Sequence, residues 1–176
     1  YEAKLVDMNV TALTDADIDA CDLVFVSAML IQRPSFEKVV SRCSARGKPV
    51  VAGGPYPSSF WGSIGGVSHF VLDEAESTLP EFLSEYTLGR ARKVYRSAAR
   101  PDIALSPVPR FDLVDVRDYE SMALQFSRGC PFTCEFCDII EMFGRLPRTK
   151  RPERFLAELE AVYASGFRGS LFIVDD

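Results

Sequence analysis

The chain has 176 residues, of which 47% are hydrophobic and 26% are charged, a globular composition that argues against disorder or a fibrous repeat. Its formal net charge is -5, which disfavours a nucleic-acid partner because such proteins need excess positive charge to hold phosphates. Since no apolar run reaches the roughly 20 residues that span a bilayer and the first residues lack the apolar core of a signal peptide, we expect a cytoplasmic location without a transmembrane segment.

The first half of the chain alternates predicted strands and helices. Thr14 can cap a short helix with Asp17 at its third position, and Ser35 is the expected N-cap of the next helix. The strands are short apolar runs typical of buried parallel strands. The expected elements are strand 23–27, helix 36–46, strand 49–52, strand 69–72 and helix 77–88. Strands separated by single helices predict a doubly wound parallel sheet, and we place this domain at residues 1–89.

Periodicity is lost between residues 90 and 121, where three prolines interrupt the chain, and we interpret this stretch as an interdomain linker. A second alternation follows, with strand 122–126, a cysteine-bearing loop, helix 152–164 and strand 170–174. It predicts the first strand, helix and strand of another parallel unit, at residues 122–176. Because the chain begins with Tyr and finishes on an apolar strand, we expect it to be part of a longer protein.

The cysteines are the most informative residues. Three of the five, Cys130, Cys134 and Cys137, lie within eight residues, a pattern that favours a metal or redox centre over disulfides. Structural zinc needs a fourth Cys or His ligand, and none is near, since Cys21 and Cys43 belong to the first half and are expected to be small buried residues. Three cysteines on an iron-sulfur cluster leave one iron open to a ligand, as catalysis requires. A non-catalytic iron-sulfur or zinc-binding module is the alternative.

The segment Cys130-x-x-x-Cys134-x-Phe136-Cys137 resembles the signature of the radical S-adenosylmethionine (radical SAM) superfamily. The resemblance implies that the three cysteines bind a 4Fe-4S cluster whose remaining iron is chelated by S-adenosyl-L-methionine. It also implies that Phe136 lies near the adenine. An external reductant of the flavodoxin or ferredoxin type would reduce the cluster, which then cleaves S-adenosylmethionine to a 5'-deoxyadenosyl radical that attacks a small-molecule substrate.

The surrounding residues are similar to those of radical SAM proteins with an N-terminal cobalamin (vitamin B12)-binding domain. The similar segments are 109–112, 125–132, 137–141 and 143–145. The resemblance implies an α/β fold in which a Rossmann-like cobalamin-binding domain, with its first strand before Tyr1, precedes the start of a partial (β/α) TIM-like barrel. It further implies that Asp175 and Asp176, after the second barrel strand, contact S-adenosylmethionine.

The same resemblance implies a cobalamin site in the first domain. Ser27 and the Gly53-Gly54 turn would line the pocket for the nucleotide tail, since glycine lets the backbone approach a bulky ligand; a tight strand-to-helix turn explains Gly-Gly equally simply. The Asp-x-His-x-x-Gly motif that supplies a histidine to cobalt is absent, so we expect His69 to be structural. Asp73 stands where relatives usually show Gly, and its charge could crowd the pocket.

The two domains together imply cobalamin-dependent methylation of an unactivated carbon, with cobalamin-dependent radical rearrangement or cyclisation as the alternative. We expect these 176 residues alone to be inactive, because a barrel needs further strands to enclose a substrate.

Four basic residues surround the cysteine loop, either as ordinary solvated charges or as a site for the carboxylate of S-adenosylmethionine or an anionic substrate. They are Arg128, Arg145, Arg148 and Lys150.

Overall fold

The computed structural model describes residues 1–175. Two compact units are present, one formed by residues 13–101 and the other by residues 1–12 together with the chain from Asp102 onwards. None of the helices within residues 1–175 combines the length and the apolar character that crossing a membrane requires.

The unit at residues 13–101 is built on a four-stranded parallel sheet in the order β1-β2-β3-β4. The strands are β1 (Val24–Ser27), β2 (Val50–Gly53), β3 (His69–Val71) and β4 (Val94–Tyr95). The helices are α1 (Asp15–Asp19), α2 (Arg33–Ala45), α3 (Pro55–Phe60) and α4 (Ala75–Thr87). The predicted strands of the first half are all present, whereas β4 and α3 are additions that the sequence pattern does not predict.

Local sequence explains where these helices begin. Thr14 caps α1 as predicted, because its side chain accepts from the Asp17 N–H while the Asp17 carboxylate accepts from the Thr14 N–H. The second helix begins at Arg33 instead of after Ser35. Its first turn contains Pro34, whose fixed φ suits a helix start and whose missing N–H would have no intrahelical partner there.

The central strands β2 and β3 are buried on both faces, as expected for a doubly wound fold. Successive residues of one strand enter different cores, since Val50 and Ala52 pack in one apolar cluster and Val51 packs in the other. Helices α2 and α3 cover the first cluster, to which Cys43 belongs, and α4 covers the second through Phe82. Cys43 is completely buried and is a core residue, as predicted, and this burial raises the pKa of its thiol, whereas Cys21 is only half-buried.

The other unit contains a three-stranded sheet in the order β6-β5-β7. Its elements are β5 (Ser121–Arg128), α5 (Ile139–Phe143), β6 (Arg148–Thr149), α6 (Pro152–Ala164) and β7 (Ser170–Asp175). Strands β5 and β7 are parallel and are connected through α6, which confirms the predicted strand-helix-strand arrangement. Strand β6 is antiparallel to β5 and closes the loop that carries the three cysteines.

The core of this second sheet lies between β5 and α6, where Met122, Leu124 and Val162 are buried. The N-terminal segment joins the same unit, because the Tyr119 hydroxyl donates to the Asp7 carboxylate at 2.9 Å. Burial raises the pKa of Tyr119, and a hydrogen bond from the Asn9 backbone N–H lowers the pKa of Asp7. The phenol therefore stays a donor and the carboxylate an acceptor across the neutral pH range.

A buried ion pair anchors the far side of the cysteine loop to α6. The Lys150 ammonium lies 2.6 Å from Oε1 of Glu158, and their side chains are 6% and 1% exposed. The backbone N–H of Lys150 also donates to the Phe126 carbonyl at 2.9 Å, which continues the pairing of β5 with β6. Lys150 is thus neutralised inside the protein and is not one of the solvated charges expected around the loop.

Breaking this ion pair should strongly destabilise the unit that contains β5, β6 and β7. We expect Lys150→Met to cost about 3–5 kcal/mol, because it leaves the Glu158 carboxylate buried without its cation, whereas Lys150→Met/Glu158→Leu should recover most of that loss. Urea unfolding monitored by circular dichroism measures both. Arg110→Ala is the control, since its pair with Asp112 is exposed and solvent screening leaves such a pair little effect on stability. A double variant as unstable as Lys150→Met would contradict this explanation.

Candidate functional site

The cysteine loop begins where β5 ends, at a point of very close backbone packing. Gly129 has a φ of 97°, and a Cβ placed on it would lie 2.5 Å from the Leu146 carbonyl oxygen and 3.1 Å from that of Gly144. The Cys130 N–H donates to the same Gly144 oxygen at 3.1 Å. Only glycine fits this position, and the entering and leaving segments of the loop are therefore held together at its base.

Within the loop, a turn and a short helix determine where the cysteines lie. The Cys137 N–H donates to the Cys134 carbonyl at 3.2 Å, and α5 follows at once. That helix ends at Gly144, whose φ of 84° and ψ of 176° belong to a region that is essentially restricted to glycine. The chain then turns back into β6, so all three cysteines lie on one closed loop at the carboxyl end of β5.

The three thiols are free and accessible. Cys134 is exposed, and Cys130 and Cys137 are half-buried. Within residues 1–175, no three Cys, His, Asp or Glu side chains are close enough together to hold a metal ion. The donor set suits an iron-sulfur cluster in number and chemistry, since all three ligands are soft thiols. Collecting them around a cluster requires the loop to close further, as expected where metal binding and local folding are coupled.

Two other predicted residues lie at the same carboxyl end of the second sheet. The Phe136 ring, on the cysteine loop, is 91% exposed. Asp175 ends β7 opposite Ser127 of β5, and the Ser127 hydroxyl donates to its carboxylate. Sequence reasoning missed Ser127 as a partner of Asp175. Asp176 lies outside the residues that the structure describes.

The basic residues near the loop mostly stabilise the loop itself. The Arg128 guanidinium lies 5.8 Å from the centre of the Phe143 ring, and its Nε donates to the Gln125 side chain at 2.8 Å. Arg148 donates to the Phe143 carbonyl at 3.1 Å. Both arginines therefore fix the end of α5 against the sheet, which explains part of the basic cluster without a ligand.

At the carboxyl end of the first sheet, Ser27 and the Gly-Gly turn lie side by side. Ser27 of β1 is paired with Gly53 of β2. A Cβ on Gly54, which has a φ of 84°, would clash with the Ser27 Oγ, and a Cβ on Gly53 would lie 2.7 Å from the Val71 carbonyl oxygen. The structure brings the three predicted residues together, and packing between neighbouring strand ends alone accounts for both glycines.

Asp73 has an unusual backbone and a fully engaged carboxylate. Its φ is 63°, in the left-handed region that non-glycine residues rarely adopt. Its N–H donates to the Ser58 hydroxyl at 3.0 Å. Its carboxylate accepts from the Arg96 guanidinium at 3.1 and 3.2 Å and from the Ser97 N–H at 3.2 Å. Asp73 thus fastens the end of β3 to the segment that follows β4.

His69 has the structural role that the sequence predicts. Its Nδ1 lies 2.7 Å from the Arg92 carbonyl oxygen, so this nitrogen is the donor of the hydrogen bond. Its ring packs against Phe82 and Tyr86, with ring centres 5.4 and 5.8 Å away. The ring is held among the aromatic residues of α4 and joins them to β3.

Sequence comparison finds methyltransferases. The chain is 43% identical over 178 residues to an uncharacterized methyltransferase of Synechocystis sp., with 100% of the chain and 33% of that protein covered. It is 33% identical over 184 residues to the hopanoid C-2 methylase of Rhodopseudomonas palustris, with 100% of the chain and 34% of that protein covered. The chain therefore spans about a third of the length of these relatives. No family model matches.

Structure comparison finds a radical SAM enzyme. The fold matches the radical S-adenosylmethionine methyltransferase TsrM of Kitasatospora setae, whose structure contains a tryptophan substrate and a SAM analog. The TM-score is 0.64 at 15% sequence identity, and the match covers 89% of this chain and 38% of that one. This likeness confirms the predicted fold class, a Rossmann-like α/β domain followed by the start of a barrel.

Replacing Gly54 should destabilise the first unit more than replacing another glycine of positive φ. Gly54→Ala places a methyl group against Ser27 at a φ of 84° and a ψ of -178°, where backbone strain alone costs about 1–3 kcal/mol. The control is Gly89→Ala, which has a φ of 66° and nothing within 4 Å of the added carbon. In thermal unfolding, the midpoint of Gly54→Ala should be lower than that of Gly89→Ala. The double variant Ser27→Ala/Gly54→Ala should unfold at a higher temperature than Gly54→Ala alone. Equal effects of the two glycine changes would refute the packing explanation.

Proposed function

We propose that this chain belongs to the radical SAM superfamily, in the group with an N-terminal cobalamin-binding domain, and that its protein methylates an unactivated carbon of a small-molecule substrate. The observation that carries the proposal is the three-cysteine loop at the carboxyl end of β5, in a chain whose relatives are named methyltransferases. Active sites of parallel α/β folds are found at this end of the strands.

In this proposal, Cys130, Cys134 and Cys137 hold a 4Fe-4S cluster. A bound cluster, reduced by an external flavodoxin- or ferredoxin-type protein, supplies the electron that cleaves S-adenosylmethionine to a 5'-deoxyadenosyl radical. The protein's part is to present three thiolates and to leave one coordination position open. The close packing at Gly129 supports this role, because it fixes the base of the loop, and the exposed Cys134 thiol is accessible to a cluster.

Two side chains at the same end of the sheet are suited to orient S-adenosylmethionine. The exposed Phe136 ring offers a flat apolar face to the adenine. The Asp175 carboxylate is an acceptor for hydroxyl or ammonium donors and is already oriented by Ser127. Both residues belong to the unit that contains the cysteines, so one rigid sheet edge would position cluster and cofactor together.

The carboxyl end of the first sheet is the proposed place for cobalamin, which would supply the methyl group. Ser27 is exposed at this edge beside Gly53 and Gly54, so its hydroxyl can donate to a nucleotide tail. His69 is the only histidine of the sequence, and its ring packs within the fold. Cobalamin would therefore bind without a histidine ligand from this chain.

Methylation is favoured over cobalamin-dependent rearrangement or cyclisation because the relatives at 43% and 33% identity are named as a methyltransferase and a methylase. A non-catalytic iron-sulfur or zinc-binding module would need a fourth protein ligand. The remaining cysteines, Cys21 and Cys43, lie in the other unit, and Cys43 is completely buried in its core.

Cluster assembly tests the first part of the proposal. After anaerobic reconstitution of the complete protein, Cys130→Ala, Cys134→Ala and Cys137→Ala should each lose most of the bound iron and sulfide, because the remaining two thiolates cannot hold a cuboidal cluster. Electron paramagnetic resonance of the reduced wild type should show a 4Fe-4S signal that shifts when S-adenosylmethionine is added, since the open iron binds it directly.

Cys21→Ser is the control for the cluster experiment, because Cys21 is half-buried in the other unit. It should retain full iron and sulfide. Zinc at one ion per chain without sulfide would favour the binding module. A 4Fe-4S signal that does not shift when S-adenosylmethionine is added would rule out the proposed radical chemistry.

Cobalamin binding tests the second part and can be followed by absorbance. We expect Ser27→Ala to weaken binding of cobalamin about fivefold, the effect of losing one neutral hydrogen bond of about 1 kcal/mol. Ser59→Ala, on the exposed side of α3, should bind as the wild type does. If Ser27→Ala left the affinity unchanged, Ser27 would serve only to pack against Gly54.

A further inference from the structure

Strand β5 contains one extra residue just before the cysteine loop. From Ser121 to Gln125, its residues pair one by one with β7, and Gln125 lies opposite Val174. The next residue of β7, Asp175, lies opposite Ser127. Phe126 is therefore the inserted residue of a β-bulge, a feature that redirects side chains and often lies beside active sites.

The bulge changes the neighbour of Asp175 from an aromatic ring to a hydroxyl group. In an uninterrupted ladder Asp175 would lie opposite Phe126, whose ring instead packs edge-on against Phe155 of α6, with centres 5.3 Å apart. The shift places Ser127 beside Asp175, and the hydroxyl donates to the carboxylate. Ser127 is only 5% exposed, so this donor is held firmly, while Asp175 is exposed to a ligand.

One serine thereby connects three strands at the edge where the cluster would bind. Ser127 is paired with Thr149 of β6 on one side and with Asp175 of β7 on the other. Cys130 follows three residues later on the same chain segment. The direction of the Asp175 carboxylate is thus linked to the base of the cysteine loop.

We propose that Ser127 is a positioning residue for S-adenosylmethionine: its hydroxyl orients the Asp175 carboxylate to accept from a hydroxyl or ammonium group of the bound molecule. A carboxylate has about four acceptor positions, and the Ser127 hydroxyl uses one, which leaves the exposed side of Asp175 for a ligand. This inference rests on the proposed function, because it needs a site that binds S-adenosylmethionine at this edge.

The affinity of the cluster-loaded, complete protein for S-adenosylmethionine tests the inference, measured by titrating the shift of the electron paramagnetic resonance signal. Ser127→Ala should weaken binding about tenfold, as expected from a hydrogen bond to a charged group. Ser127→Thr should bind within about twofold of the wild type, because it retains the hydroxyl. Asp175→Asn should weaken binding, and Ser127→Ala/Asp175→Asn should bind no more weakly than Asp175→Asn alone.

Iron and sulfide content and the thermal midpoint separate positioning from a merely structural role. Both should equal the wild-type values in Ser127→Ala. Wild-type affinity in Ser127→Ala, loss of its cluster, failure of Ser127→Thr to restore binding, or additive effects in the double variant would each overturn the inference. Failure of the proposed function would appear differently, as a wild-type protein whose cluster signal does not respond to S-adenosylmethionine.

Discussion

Close backbone packing at Gly129 is the constraint on which the candidate site depends. The Leu146 carbonyl oxygen occupies the space that a Cβ would need, so the loop can close only because this residue has no side chain. The hydrogen bond from Cys130 to Gly144 and the pairing of β5 with β6 then follow from the same closure. The exposed Cys134 and the half-buried Cys130 and Cys137 thus lie on a loop whose base is fixed, which is the arrangement that the proposed cluster would use.

In the unit at residues 13–101, neighbouring atoms also fill the space that glycine side chains would need. At Gly54, the space of the missing side chain is filled by Ser27, and at Gly53 it is filled by the Val71 carbonyl. Both contacts lie between neighbouring strand ends, and this close packing alone is enough to require glycine at the two positions. The Gly-Gly turn therefore supports cobalamin less strongly than the cysteines support a cluster.

Long periodic segments were predictable from sequence, whereas features set by one or two residues were not. Helices α2 and α6 show apolar positions at helical spacing, and both were located within a few residues. Strands β4 and β6 have two residues each, too few for any periodicity to appear. Glu158 resembles a surface charge on a helix, and only the fold shows that it is buried against Lys150.

The same limitation explains why Ser127 was missed. A bulge of one residue leaves no mark in an apolar strand, yet it decides which side chain meets Asp175, because a shift of one residue exchanges the neighbours along a ladder. The loop arginines, Arg128 and Arg148, are already engaged with α5. In the proposed site, the orientation of S-adenosylmethionine would therefore depend more on the register of β5 and β7 than on positive charge, and that register is set just before the first cysteine.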